Sequence, residues 1–86
     1  MKTAAKEYLE ITEARHVRNY RISLRFNDGT KRVMDFGPFL RRANNPEITA
    51  YRSLRKFKSF HLHFGRLMWG DYEMIFPTVD LYKGKV

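Results

Sequence analysis

The stretch Tyr20–Phe36, Y-R-I-S-L-R-F-N-D-G-T-K-R-V-M-D-F, constrains the fold more than any other, because it holds two strand patterns and the turn joining them. Tyr20, Ile22, Leu24 and Phe26 alternate with Arg21, Ser23 and Arg25, so at the strand period of two one face is apolar and the other polar. Asn27-Asp28-Gly29 could turn the chain as a two-residue loop on Asp28-Gly29, or as a type I turn closed by Gly29 in the left-handed region as a bulge. The two-residue loop sets Ile22 opposite Asp35 and Phe26 opposite Lys31. The bulged loop sets Ile22 opposite Met34, Tyr20 opposite Phe36 and Arg21 opposite Asp35. The bulge is the reading that keeps apolar side chains together, since a slip of one residue turns them to water.

At 86 residues the chain is expected to be one domain over 1–86, with an ordered core at about 8–82. A domain this small hides only roughly 60 to 65% of the surface of its unfolded chain, so its core must be dense. Seven Phe, five Tyr and one Trp supply that density. There is no cysteine, which excludes disulfides and thiolate ligands or nucleophiles. The N-terminal M-K-T-A-A-K-E-Y lacks the apolar run of a secretory leader, and no window approaches the roughly 18 apolar residues of a membrane span. These features point to a cytoplasmic protein with no membrane partner.

The net charge of +8 is unevenly placed. Residues 41–66 carry seven bases against Glu47 alone, whereas residues 67–82 carry Asp71, Glu73 and Asp80 and no base. A basic middle beside an acidic segment is a polyanion patch, a face for an acidic partner, or two parts of one fold that pair with each other.

Residues 8–17 read as a strand with an irregularity, pairing antiparallel with the hairpin to make a three-stranded meander. Gly37-Pro38 breaks the third strand, and Phe39, Leu40 and Ala43 can anchor a short turn of helix or an irregular connection. Asn44-Asn45-Pro46-Glu47 reads as a helix start, and the helix is predicted to run from about Pro46 to Lys56, with Ile48, Tyr51 and Leu54 as its apolar stripe. Phe57–Phe64 alternates again, with Phe60, Leu62 and Phe64 on one face and Ser59, His61 and His63 on the other. Gly65-Arg66 is expected to close a second hairpin into Leu67-Met68-Trp69. A short strand over Tyr72–Phe76 and a helical turn capped by Thr78, with Leu81 and Tyr82 packing back, complete an α+β fold: an antiparallel meander and a second hairpin packed around one short helix.

Phe-Asn-Asp-Gly-Thr at 26–30 with Phe36, Phe57-Lys58, the run G-R-L-M-W-G-D-Y-E-M-I-F-P from Gly65 to Pro77 and Asp80-Leu81-Tyr82 resemble, in order and spacing, domain-of-unknown-function family 2442, over about residues 8–84. The resemblance implies a small bacterial α+β domain with no assigned reaction. Some members of that family are encoded beside another small protein in pairs that look like toxin and antitoxin, and some carry a separate helix-turn-helix.

His61 and His63 share a strand face and could hold a metal with Asp71 or Glu73, but two histidines without a third ligand at fixed spacing read more simply as a polar row. Asp71, Glu73 and Asp80 could work as acid and base only in a cleft, and strand-edge and turn roles explain them. Asn27, Asp28 and Gly29 are explained by turn chemistry. No phosphate-cradling glycine loop or nucleophile triad is legible, so neither a catalytic residue nor a cofactor is implied. The function expected is binding to a protein partner encoded nearby, through Arg41, Arg42, Arg52, Arg55, Lys56 and Lys58; Trp69 reads first as core, and as an interface anchor only if it is exposed beside these cations. The alternative is non-specific nucleic-acid binding by the same cations, with Tyr51 and Phe57 as stacking rings.

Overall fold

Gly29 stands at φ +92° and donates its N–H to the Phe26 carbonyl at 2.9 Å. Asp28 does not share the positive φ that a two-residue loop would impose on it. The turn is therefore the type I turn closed by a left-handed glycine, and the hairpin register follows from it: Arg21 opposite Asp35 and Ile22 opposite Met34. In the computed structural model, which describes residues 9–86, this hairpin is β2 (Arg21–Phe26) and β3 (Lys31–Asp35). The expected strand start at Tyr8, and the N-terminal stretch read for a leader, lie outside the described residues.

β1 (Ile11–Arg18) pairs antiparallel with β2, giving a sheet in the order β1-β2-β3. The irregularity expected in this strand is present twice, between Ile11 and Glu13 and between His16 and Arg18. Each extra residue resets the side-chain parity, so Ile11 and Ala14 pack inward although they are an odd number apart. The first reset, which turns Ala14 and His16 inward, also leaves Val17 exposed.

The chain then makes α1 (Gly37–Arg42), α2 (Pro46–Thr49), a 3-10 turn (Ala50–Arg52) and α3 (Leu54–Phe57). The single helix expected over Pro46–Lys56 is not formed. Its start is as read: Asn45 Oδ1 accepts from the Glu47 N–H at 2.8 Å, with Pro46 behind it. Ser53 breaks it, standing extended at φ −70°, ψ 120° so that its hydroxyl accepts from the Lys56 N–H and caps α3. The apolar stripe is accordingly incomplete: Tyr51 is buried and Ile48 half-buried, but Leu54 is exposed.

The second sheet has the order β4-β5-β6, from β4 (His61–His63), β5 (Arg66–Trp69) and β6 (Met74–Ile75). Phe57 closes α3 instead of opening a strand, and the hairpin turns on Phe64-Gly65, one residue before the expected Gly65-Arg66. Both turn residues are left-handed, Phe64 at φ +52° and Gly65 at +77°, as a tight two-residue hairpin loop demands. Phe64 therefore leaves the apolar face and is 84% exposed. α4 (Thr78–Tyr82) is the expected final turn, but Pro77 occupies its N-cap and the Thr78 hydroxyl points instead to the Gly65 carbonyl.

One core joins the two sheets. Ile22, Leu24 and Phe26 of the first sheet meet Leu67 and Trp69 of the second, with Phe36, Leu40, Tyr51, Phe57 and Leu81 filling between them. The sheets are also stitched directly, the Ile11 N–H donating to the Gly65 carbonyl at 2.8 Å. α4 latches onto the hairpin turn: Tyr82 packs edge-on against Phe26, its hydroxyl donates to Asp28, and the Arg32 side chain donates to its carbonyl. Asp28 thus does more than shape a turn, since it also holds the C-terminal helix.

A Cβ at Gly29 would meet nothing within 4 Å, so a substitution there acts through the backbone alone. Gly29→Val should cost about 1 to 3 kcal/mol, as a β-branched residue is forced to positive φ. An unchanged thermal melt would refute the turn assignment. The Tyr82 hydroxyl and the Thr30 N–H hold the Asp28 carboxyl below its ordinary value of 3.8. A group whose folded pKa is depressed stabilises the fold above its unfolded pKa and loses that contribution as pH falls through the folded value. Stability should therefore fall on acidification below the ordinary carboxylate range, and Asp28→Asn should flatten that fall in urea titrations run at several pH values.

Candidate functional site

The residues from Arg41 to Lys58 form an arch over the core in which cations dominate the exposed side. α1 and the 3-10 turn are tied together by one of them. Arg52 donates from Nε to the Leu40 carbonyl at 2.9 Å, and from Nη2 to the carbonyls of Arg41 and Ala43 at 3.2 and 3.1 Å. These carbonyls belong to the last turn of α1 and its cap, where no intrahelical donor is available. Arg52, expected among the partner-binding cations, is committed within the fold: its guanidinium is a clamp on the end of α1, and its own carbonyl accepts from the Tyr20 hydroxyl.

Lys56 is also engaged, with Nζ 4.9 Å from the centre of the Tyr51 ring. The Tyr51 hydroxyl in turn donates to Glu73 Oε1 at 2.7 Å. Burial, with Glu73 adding to it, pushes the Tyr51 phenol up to about 12. Glu73 is thus a structural acceptor in a chain that runs from the basic arch through Tyr51 to the acidic segment.

Arg41, Arg42, Arg55 and Lys58 remain. All four are exposed, and among the described residues none lies within ion-pair distance of a carboxylate. The ion pairs among the described residues, Arg21–Asp35 and Arg25–Glu13, both at 3.6 Å, lie on the first sheet. The two aromatic residues interspersed with these cations are closed to a ligand: Tyr51 is 2% exposed and Phe57 fully buried.

Trp69, read first as core and as an interface anchor only if exposed, is fully buried, and its indole N–H donates to the Phe57 carbonyl at 2.6 Å. It is core and cannot touch a partner. His61 and His63 flank Leu62 on β4 as expected, but no group of three or more His, Asp or Glu side chains that could hold a metal comes together among the described residues. His63 instead packs edge-on against Phe64 and Tyr72, with ring centres at 4.4 and 6.0 Å. Asp71 is exposed beyond β5, and Asp80 lies in α4.

Sequence reasoning missed Phe64 and Tyr72 as exposed aromatics. Both are left-handed, Tyr72 at φ +66° and 55% exposed. The signal was available in the pairing. Placing Leu62 opposite Leu67 leaves only Phe64-Gly65 for the loop, which removes Phe64 from the strand alternation.

The two kinds of arginine in the arch are separable by stability. Arg52→Gln should cost about 1 to 3 kcal/mol, because several charge-assisted bonds to carbonyls are lost together. Arg55→Gln should stay within about 0.5 kcal/mol. Equal urea midpoints for the two variants would contradict the clamp.

Among the described residues, no helix is long and apolar enough to cross a membrane. No curated protein and no solved structure matches the chain. The α+β architecture of two three-stranded antiparallel sheets, the Asn-Asp-Gly turn and the Gly65–Tyr82 segment agree with the resemblance read from the sequence. A model of the family described as Protein of unknown function (DUF2442) matches residues 11–86, nearly the whole chain, and this protein belongs to that family.

Proposed function

We propose that this protein is a cytoplasmic protein-binding module, not an enzyme, and that its partner is the product of a neighbouring gene in a bacterial pair of the toxin and antitoxin kind. The observation that carries the reading is the set of exposed cations Arg41, Arg42, Arg55 and Lys58, which have no carboxylate partner among the described residues and sit on an arch already clamped by Arg52. Unpaired charge on a rigid support steers an oppositely charged partner and fixes its register. Nucleic-acid binding, the second reading, draws on the same cations. It is weakened by the burial of Tyr51 and Phe57, which leaves the arch no aromatic platform on which bases could stack.

Salt separates the two readings. Phosphate contacts release counterions, so affinity carried by them falls steeply with salt, whereas a packed protein interface is less sensitive. The double variant Arg42→Glu, Arg55→Glu should keep the parent's melting temperature and lose about tenfold or more in affinity for the purified neighbouring gene product. Duplex-DNA retention at about 0.15 M salt should be weak for parent and variant alike. Tight DNA retention by the parent that the variant loses would replace the partner reading with the nucleic-acid one.

A further inference from the structure

We infer that a groove at the edge of the second sheet, beside Phe64, is a docking site for an extended protein segment that presents an apolar side chain next to a single carboxylate. The inference rests on the protein-binding reading but uses a face separate from the basic arch.

Three features adjoin one another around the Phe64-Gly65 turn. Phe64 holds left-handed backbone at φ +52°, a region in which any side chain crowds its own backbone, and Tyr72, left-handed at +66°, meets the same His63 ring as Phe64 does. Phe64 does not repay this with burial, since it is 84% exposed, and asparagine or glycine would suit the turn better. Conformations of this kind collect at ligand-binding sites, and exposed aromatics are the side chains that interfaces favour. Next to the turn lies a groove of about 400 Å³ lined by Arg66, Ile75, Phe76, Pro77 and Thr78. Its position is fixed by the fold, because the Thr78 hydroxyl meets the Gly65 carbonyl and so ties the far wall to the Phe64-Gly65 turn. Finally, Arg66 is the one base on that lining, and among the described residues it has no ion-pair partner.

The occupant follows from charge. One unpaired guanidinium on an apolar lining recognises one carboxylate adjoining an apolar group. A polyanion is disfavoured, because residues 67–82, which supply most of the lining, carry Asp71, Glu73 and Asp80 and no base. Arg66 and Phe64 together could hold a nucleotide, but a run of phosphates would meet that acidic segment. A segment of protein, with isolated charges, would not.

The test uses the isotope-labelled full chain and acetyl-Ala-Leu-Glu-Leu-Ala-amide as probe, with the glutamine analogue and an oligothymidylate as competitors. Amide resonances of Phe64, Gly65, Arg66, Ile75, Phe76 and Thr78 should shift with the glutamate peptide at concentrations of about 1 mM. Binding should weaken about fivefold or more with the glutamine analogue, and equally with Arg66→Gln. Phe64→Asn should melt no lower than the parent, since asparagine accepts the left-handed conformation, and should weaken the peptide about fivefold or more. Shifts confined to other residues, equal affinity for the two peptides, an unchanged Phe64→Asn, or the oligothymidylate moving the same amides at about 0.15 M salt would each overturn the site. The Arg42→Glu, Arg55→Glu variant should bind the peptide as the parent does. If the neighbouring gene product still depends on Arg42 and Arg55 while the peptide does not bind, this inference fails and the protein-binding reading stands.

Discussion

The bond from the Trp69 indole N–H to the Phe57 carbonyl, 2.6 Å, is the contact on which the rest of the structure turns. Trp69 belongs to the second sheet and Phe57 ends the arch, so one bond joins the two across a fully buried site. Leaving that indole donor unmade would cost the desolvation of a buried polar group, which is why burial of the ring and the bond to Phe57 come as one event. Around it, Phe36, Phe57, Tyr51, Phe60 and Phe76 all place their ring centres between 5.5 and 6.3 Å from the indole, three of them edge-on at 64° to 71° and Phe76 at 80°. These geometries let ring edges meet ring faces, which contributes beyond the area buried. For a domain too small to build a thick core, one such cluster can serve both sheets at once.

This arrangement explains what was legible in the sequence. The hairpin register was, because the turn residues and the alternation of Ile22, Leu24 and Phe26 made the same demand on the chain, and a slip would have exposed all three. The irregular first strand was legible because Ile11 and Val17 share one parity with the charged Glu13 and Arg15, so no single alternation serves the whole segment. The arch was not. A three-residue apolar spacing through Ile48, Tyr51 and Leu54 fits one helix, but Ser53 has a local alternative in capping the next turn, and Arg52 has a tertiary one in the carbonyls of α1. Neither is visible in a periodicity, since both depend on what the chain meets in space.

The same limit governed the candidate site. Counting cations in residues 41–66 found the basic arch correctly but could not divide its members. Arg52 and Lys56 are held by a carbonyl cluster and a ring, and Arg41, Arg42, Arg55 and Lys58 are not. The first reading of Trp69, as core, holds; the alternative of an exposed anchor stayed open because its burial comes from long-range partners, Phe57 twelve residues away and Phe36 further still. Phe64 was misread. Alternation through Phe60 and Leu62 continues onto it by pattern, while the hairpin needs that residue for its turn.

The division of charge has a structural half and an unsatisfied half. Lys56 over the Tyr51 ring, and the Tyr51 hydroxyl on Glu73, join the basic middle to the acidic segment, so part of the asymmetry is internal pairing through an aromatic intermediary. Of what remains, four cations stand on the arch, Arg66 lines the groove of the second sheet, and the exposed, left-handed Phe64 and Tyr72 stand by that sheet. A marginally stable domain of this size has a margin of only about 5 kcal/mol or somewhat more, and strain at two aromatic positions draws on it. The fold itself does not require that strain at Phe64, since the turn geometry asks for a residue such as asparagine and the ring there adds nothing to the core. A feature that weakens a small fold without supporting its packing is what the proposed docking site would account for.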